Sequence, residues 1–213
     1  DFHGRTPKAA TSTMWTHLLQ GETRDGFGFI LDGNVNDVGY QSITTPGSLK
    51  AYHEAQTSYG TLPWAAVVEP AIGAAESGFI VRPQVSWFWT LDDGSGRVPN
   101  PRRMKFCAAG RSIYCDADGE LLKVGARVRN PDMAQALRRI AVEGADCFYS
   151  GSIAKEIDAD MRANGGMLSM SDLSSYRTRR GTPLRGHYRG YDIATNYPPG
   201  GGIMLIEMLA VLE

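Results

Sequence analysis

The sequence predicts an α+β protein, or a layered αββα arrangement, on three observations. Apolar residues repeat at helical spacing in several stretches, most clearly between Asn130 and Gly144 and from Ser152 to Ala163. Short apolar runs flank turn residues, as around Asp118-Gly119 and onward from Thr182, which is the pattern of hairpins. The 213 residues, 42% of them hydrophobic, suffice for a sizeable core in one large domain or two small ones.

Residues 1–5 read as the end of a strand, because an aromatic among polar residues runs into Gly4 and Pro7. A short helix is predicted over 8–19, with Met14, Trp15 and Leu18 on one face. Residues 20–46, rich in Gly, Asn and Asp, read as loop with a short strand at 27–31. Ser48 is the expected N-cap of a helix that turns Leu49, Tyr52, His53 and Gln56 to one side and stops at Gly60. A second helix follows from Pro63 to Ser77, with Val67, Ala71, Ala74 and Ala75 as a small-residue packing face. Pro70 is expected to bend or restart it. Trp87-Phe88-Trp89 reads as core or helix-packing material ahead of the turn at 92–96.

Around 113–122 the Asp118-Gly119 turn predicts a hairpin. Asn130-Pro131 is a cap followed by a first-turn proline, and Met133, Leu137, Ile140 and Ala141 then repeat until Gly144. The next helix places Ile153, Ile157 and Met161 on one stripe and ends at Asn164-Gly-Gly166. Ser169-Met-Ser-Asp172 has the form of a capping box for a short helix reaching Tyr176. Two short strands follow Thr182, and Pro198-Pro-Gly-Gly-Gly202 leads into a last, apolar helix. The chain has no internal repeat and no low-complexity segment.

Composition excludes several classes of function. With 22 Lys and Arg against 23 Asp and Glu, there is no excess positive field for nucleic acid. The most apolar stretch, 203–212, carries Glu207 and falls short of the ~20 residues of a membrane span, so it reads as a core helix. The first residues are polar and charged, unlike a signal peptide. The chain opens at Asp1-Phe2 without an initiator Met and stops at Glu213 within an apolar helical pattern, which predicts an excised piece of a longer protein.

Chemistry-bearing motifs are sparse. Cys107 and Cys115 can pair across the predicted hairpin, but a third thiol, Cys147, would remain. Reduced, mostly buried thiols are the preferred reading. His3, His17, His53 and His187 are scattered, and no spacing points to a metal site. No G-x-S-x-G elbow marks a hydrolase nucleophile. Gly200-Gly-Gly202 before a helix offers backbone N–H groups to an anion, but the expected use of the glycines is close approach to a neighbouring backbone. Arg177-Thr-Arg-Arg180 reads as a solvated face.

A series of landmarks then adds what pattern alone does not. Asp1-Phe-His-Gly-Arg-Thr-Pro7, Thr45-Pro-Gly47, Tyr59-Gly-Thr-Leu-Pro-Trp64, Glu69-Pro-Ala-Ile72 and Gly78-Phe79 come first. Phe148-Tyr-Ser-Gly151, Asn164-Gly-Gly166, Asp172-Leu173 with Tyr176, Pro183-Leu-Arg-Gly186, Tyr188-Arg-Gly-Tyr191 and Pro198-Pro-Gly-Gly-Gly-Ile203 follow. In their order and spacing the chain resembles the gamma-glutamyltranspeptidase family over nearly its whole length.

The resemblance implies a four-layer αββα sandwich of the N-terminal-nucleophile hydrolase type, with residues 1–213 forming part of the large subunit. It implies a precursor that cuts itself, and a partner small subunit whose new N-terminal Thr attacks an amide. A small-molecule amide is the expected substrate, a γ-glutamyl amide such as glutathione. No cofactor is expected. No Thr here, Thr11, Thr13, Thr44 and Thr45 included, matches the nucleophile. The family is commonly periplasmic or extracellular.

One substrate-binding position of the family falls within the chain. An Arg directly after the Asp-Phe pair normally holds the substrate's α-carboxylate, and here His3 stands there with Arg5 two residues on. Imidazole is largely neutral near pH 7 and lacks the two-pronged fork of a guanidinium. Residues two apart on a strand share a face yet sit ~6–7 Å apart. Either Arg5 takes over through a shifted loop, or the pocket has given up glutamate-type recognition. His3 as a plain packed residue is a third option. Gly200 and Gly201 stand where the family often carries serines, and the segment from Gly33 to Tyr40 looks like an insertion. Two alternatives therefore stay open: an acylase or amidohydrolase of the same family, as in its cephalosporin-acylase branch, and a non-catalytic structural relative.

Overall fold

The computed structural model describes residues 4–213. The chain divides into two compact units, one extending to Arg177 and the other running from Thr178 to Glu213. Among the described residues every sheet is a two-stranded antiparallel pair.

The larger unit begins with an isolated antiparallel bridge between Arg5 and Thr45. The predicted helix over 8–19 does not form. Successive i→i−3 turns lead to a 3-10 turn at Thr16–Leu18 and then to strand β1, Leu19–Glu22, which pairs with β2, Phe29–Leu31. The threonines explain the difference. The Thr16 hydroxyl donates to the Thr13 carbonyl, a local bond that competes with helix propagation. The short strand expected at 27–31 is thus present at its C-terminal end, with an additional partner strand.

Helix α1 spans Ser48–Tyr59 and α2 spans Trp64–Ser77. Gly47, not Ser48, occupies the N-cap of α1, and no side chain of the cap residue bonds the first turn. A tyrosine from far along the chain does so instead, as shown below. Helix α2 continues through Pro70 and buries Val68 and Ile72, one residue round from the expected face, leaving Val67, Ala71 and Ala74 exposed. Stripe Trp64, Val68, Ile72 and Ala75 carries the larger side chains and so removes more apolar area from water. Gly78 ends α2 with φ of 81°. A Cβ there would collide with the Val128 carbonyl, so only glycine allows the chain to turn at once into β3, Phe79–Ile80.

Helices α3, Pro83–Trp89, α4, Asn100–Met104, and α5, Ala108–Tyr114, follow. The aromatic run divides. Trp89 is buried against Val81 and Val128, edge-on to Tyr114, while Trp87 and Phe88 are exposed. The expected hairpin over 113–122 keeps its turn but not its first arm. Asp116 closes the turn by accepting from the Asp118 and Glu120 amides, and Cys115 bridges Leu121, but residues up to Tyr114 are helical. Packing of Ile113 and Tyr114 beside Trp89 decides for helix. All three cysteines are free; of the thiols expected to be mostly buried, Cys147 is buried, Cys115 half-buried and Cys107 exposed, where its sulfur accepts from the Gly110 amide.

Strand β4, Arg127–Val128, pairs with β3 and leads into α6, Pro131–Glu143. The Asn130 side chain caps α6 by accepting from the Met133 amide, and Gly144 closes it at φ of 79°. Helix α6 lies along α2, joined by the Trp64 indole donating to the Ile140 carbonyl at 3.0 Å. Helices α7, Asp146–Tyr149, α8, Ser152–Ala163, and α9, Met170–Ser175, complete the unit. Ala154, Met161, Leu168 and Leu173 form their shared core, and α9 opens with the predicted capping box of Ser169 and Asp172.

The smaller unit is a hairpin of β5, Leu184–Tyr188, and β6, Tyr191–Thr195, followed by α10, Gly202–Val211. Ile206 of α10 packs over Gly186 of β5. The strands and helix stand where the sequence predicted them.

Candidate functional site

The residues singled out for substrate contact lie in the first segment of the chain. His3 lies outside the described residues. Arg5 is described, with an exposed side chain, and its backbone is fixed by two bonds. The Arg5 amide donates to the Thr45 carbonyl at 3.3 Å, and the Thr45 amide donates to the Arg5 carbonyl at 2.8 Å. Gly4 permits this approach, because a Cβ there would overlap the Thr44 hydroxyl. Thr45 itself is buried, and among the described residues its hydroxyl oxygen has no hydrogen-bond partner.

Two distant residues hold this bridge from either side. The buried Tyr149 hydroxyl donates to the Pro46 carbonyl at 2.8 Å and accepts from the Lys50 amide at 3.1 Å. The second bond satisfies one of the unpaired first-turn donors of α1, which explains why Ser48 is not needed as a cap. The Tyr149 ring stacks on Tyr176 at 5.9 Å, and the Lys50 ammonium stands 4.8 Å over it. Burial pushes the Tyr149 phenol up to about 12, so it remains a neutral donor and acceptor at any working pH. Burial also raises the Tyr176 phenol, while the positive charge of Arg5 pulls in the opposite direction, which places Arg5 in the electrostatic neighbourhood of the tyrosine pair.

On the other side, Oδ1 of Asp172 accepts from the Lys8 amide at 2.9 Å, and Oδ2 accepts from the Ser169 amide at 3.0 Å and from its hydroxyl at 2.6 Å. Burial alone would raise this carboxyl. The Ser169 hydroxyl, the two amides and the Lys8 charge outweigh it and hold it below the ordinary aspartate value, so Asp172 is an ionised acceptor. The sequence identified Asp172 as a cap and Tyr149 as part of a landmark. Their grip on the first segment spans 164 and 103 residues of chain and has no local signal.

The glycine loop of the smaller unit serves packing. A Cβ on Gly202 would collide with the Asn196 carbonyl, and one on Gly200 with the Asn196 side chain. The basic residues Arg177, Arg179 and Arg180 are exposed. Among the described residues no group of three or more His, Cys, Asp or Glu is placed to hold a metal ion. No helix among them is long and apolar enough to cross a membrane.

A family model described as Gamma-glutamyltranspeptidase matches residues 1–213. The chain is 36% identical over 213 residues to an Acylase ACY 1 proenzyme of Pseudomonas sp. (strain V22), covering 97% of this chain and 35% of that protein. It is 36% identical over 202 residues to the Glutathione hydrolase proenzyme of Escherichia coli (strain K12), covering 90% and 32%. The solved gamma-glutamyltranspeptidase of Helicobacter pylori superposes with a TM-score of 0.81 at 26% identity, covering 100% of this chain and 56% of that one. The fold class is therefore the α+β, four-layer αββα type of the N-terminal-nucleophile hydrolases, of which this chain is a part. The chain belongs to the gamma-glutamyltranspeptidase family. It spans about a third of the length of the curated relatives it matches.

Proposed function

We propose that the chain is part of the large subunit of an amide hydrolase or acyltransferase that cleaves γ-glutamyl amides of the glutathione type. The observation that carries this reading is the family match over all 213 residues, its first segment held in place at Arg5. The reaction then runs through a Thr on a small subunit released from the same precursor, in keeping with relatives named as proenzymes. The Thr hydroxyl attacks the amide carbonyl while its own α-amino group takes the proton. The C–N bond breaks, the amine leaves with a proton, and water or an acceptor amine resolves the acyl-enzyme. The contribution of this chain is recognition: Arg5, a permanently charged two-pronged donor, holds the α-carboxylate of the acyl group, with His3 beside it in sequence.

A second reading has its own support. His3 stands where the family normally carries the carboxylate-binding Arg, and an acylase is among the relatives at 36% identity. The enzyme would then be an acylase with altered acyl preference. Assay of the full processed enzyme on γ-glutamyl-p-nitroanilide beside glutaryl-p-nitroanilide separates the two. Preferred γ-glutamyl turnover that survives His3→Ala and collapses on Arg5→Ala supports the first reading, and preferred glutaryl turnover supports the second. No turnover of any amide would make the chain a structural relative and overturn both.

A further inference from the structure

We propose that Tyr149 and Asp172 are positioning residues for acyl-group recognition, clamping the backbone around Arg5 from both sides so that its guanidinium meets the substrate carboxylate in register. This rests on the reading that Arg5 contacts the acyl group.

The segment from Gly4 to Lys8 has no helix, and among the described residues its strand-like contact is the isolated bridge to Thr45. A chain of this kind is placed by what it is tied to. At its leading end Arg5 is tied to Thr45, and the next residue, Pro46, is tied to the Tyr149 hydroxyl. The same hydroxyl takes the Lys50 amide, so the turn at 45–47 and the start of α1 are locked to one buried oxygen. At its trailing end Lys8 is tied to Asp172, whose other oxygen is held by Ser169. Both anchors are buried, Tyr149 at 1% and Asp172 at 4% exposure. Each bond thus joins a buried side chain to the backbone of a residue that is itself exposed, Pro46 in one case and Lys8 in the other.

Removing the Tyr149 hydroxyl takes the shared partner from the Pro46 carbonyl and the Lys50 amide together, and the turn loses the link that fixes it to the buried ring. The bridge to Arg5 moves with it. A fork that grips a carboxylate with two parallel bonds tolerates little displacement, so the loss falls on substrates that carry the carboxylate and spares those that lack it.

The test uses the full processed enzyme and two substrates, γ-glutamyl-p-nitroanilide and its decarboxylated counterpart, 4-aminobutanoyl-p-nitroanilide. Tyr149→Phe and Asp172→Asn are each expected to raise KM for the γ-glutamyl substrate about 10-fold with kcat held within about twofold, and to leave KM for the decarboxylated substrate in place. Arg5→Ala is expected to show the same split, and Tyr149→Phe added to Arg5→Ala is expected to cost nothing further. Equal losses on both substrates, a fall in kcat alone, additive losses in the double variant, or no change would overturn the proposal. Should Asp172→Asn fail to accumulate, Tyr149→Phe, which removes one oxygen and keeps the stacked ring, decides alone. An enzyme that prefers glutaryl amides would refute the γ-glutamyl reading but not this one. The same split is then read on glutaryl-p-nitroanilide against butyryl-p-nitroanilide, with the same outcomes supporting or overturning it.

Discussion

Thr45 carries a hydroxyl that the fold buries to 1% exposure and leaves without a partner among the described residues. Its backbone does the useful work in the bridge to Arg5, and the Oγ1 atom bears only a desolvation cost. Thr45→Val keeps the β-branched shape and removes that cost. Stability of the full protein, followed by chemical denaturation, is expected to hold or to rise by about 1 kcal/mol. A fall of that size would show that the hydroxyl has work to do. Thr45 belongs to the Thr45-Pro-Gly47 landmark, but its burial is not written there, since burial depends on which chain segments close over the residue. Asp172 shows the same division. Its spacing from Ser169 makes the capping box legible, whereas its bond to Lys8 depends on how the fold brings the first segment alongside α9.

At the scale of elements, the helices that formed as expected carry their own punctuation. Helix α6 has Asn130, Pro131 and Gly144, and α9 has Ser169 and Asp172, so start and stop are set by hydrogen bonds within a few residues. The expectations that failed lacked such support. The stretch over 8–19 had apolar spacing but threonines that bond locally, and α2 had two candidate faces whose choice depended on the partner helix. The glycine loop ahead of α10 makes a sharp contrast within three residues. Gly202 lies against the Asn196 carbonyl with no room for a Cβ, while Gly201, at φ of −74°, faces open space. Gly202→Ala is expected to destabilise by several kcal/mol through that backbone clash, and Gly201→Ala by less than about 0.5 kcal/mol. Comparing their melting midpoints checks the assignment, and equal effects would contradict it.

At the scale of the molecule, α10 shows what this stretch of chain leaves unfinished. Ile203, Met204, Leu205, Met208 and Val211 are all exposed, although a helix with Glu207 as its one charged residue has too much apolar surface to face water. The 213-residue chain prepared alone is therefore expected to bind a hydrophobic dye such as ANS strongly and to self-associate, and the longer protein of which we propose it is a part is not. Equal dye binding by the two would mean that α10 stays uncovered in the complete protein.

The sequence by itself determined the mixed α and β class, the capped helices α6 and α9, the apolar stripe of α8, the closing hairpin with its apolar helix, and the family, because each is written in short-range periodicity, caps or ordered landmarks. Tertiary structure alone decided which face of α2 is buried and that Tyr149 and Asp172 bond to backbone on either side of Arg5 and its bridge. The physical reason is range. A cap or a repeat is satisfied within one or two turns of chain, whereas a buried hydroxyl or carboxylate takes whatever donor the fold delivers, however distant in sequence.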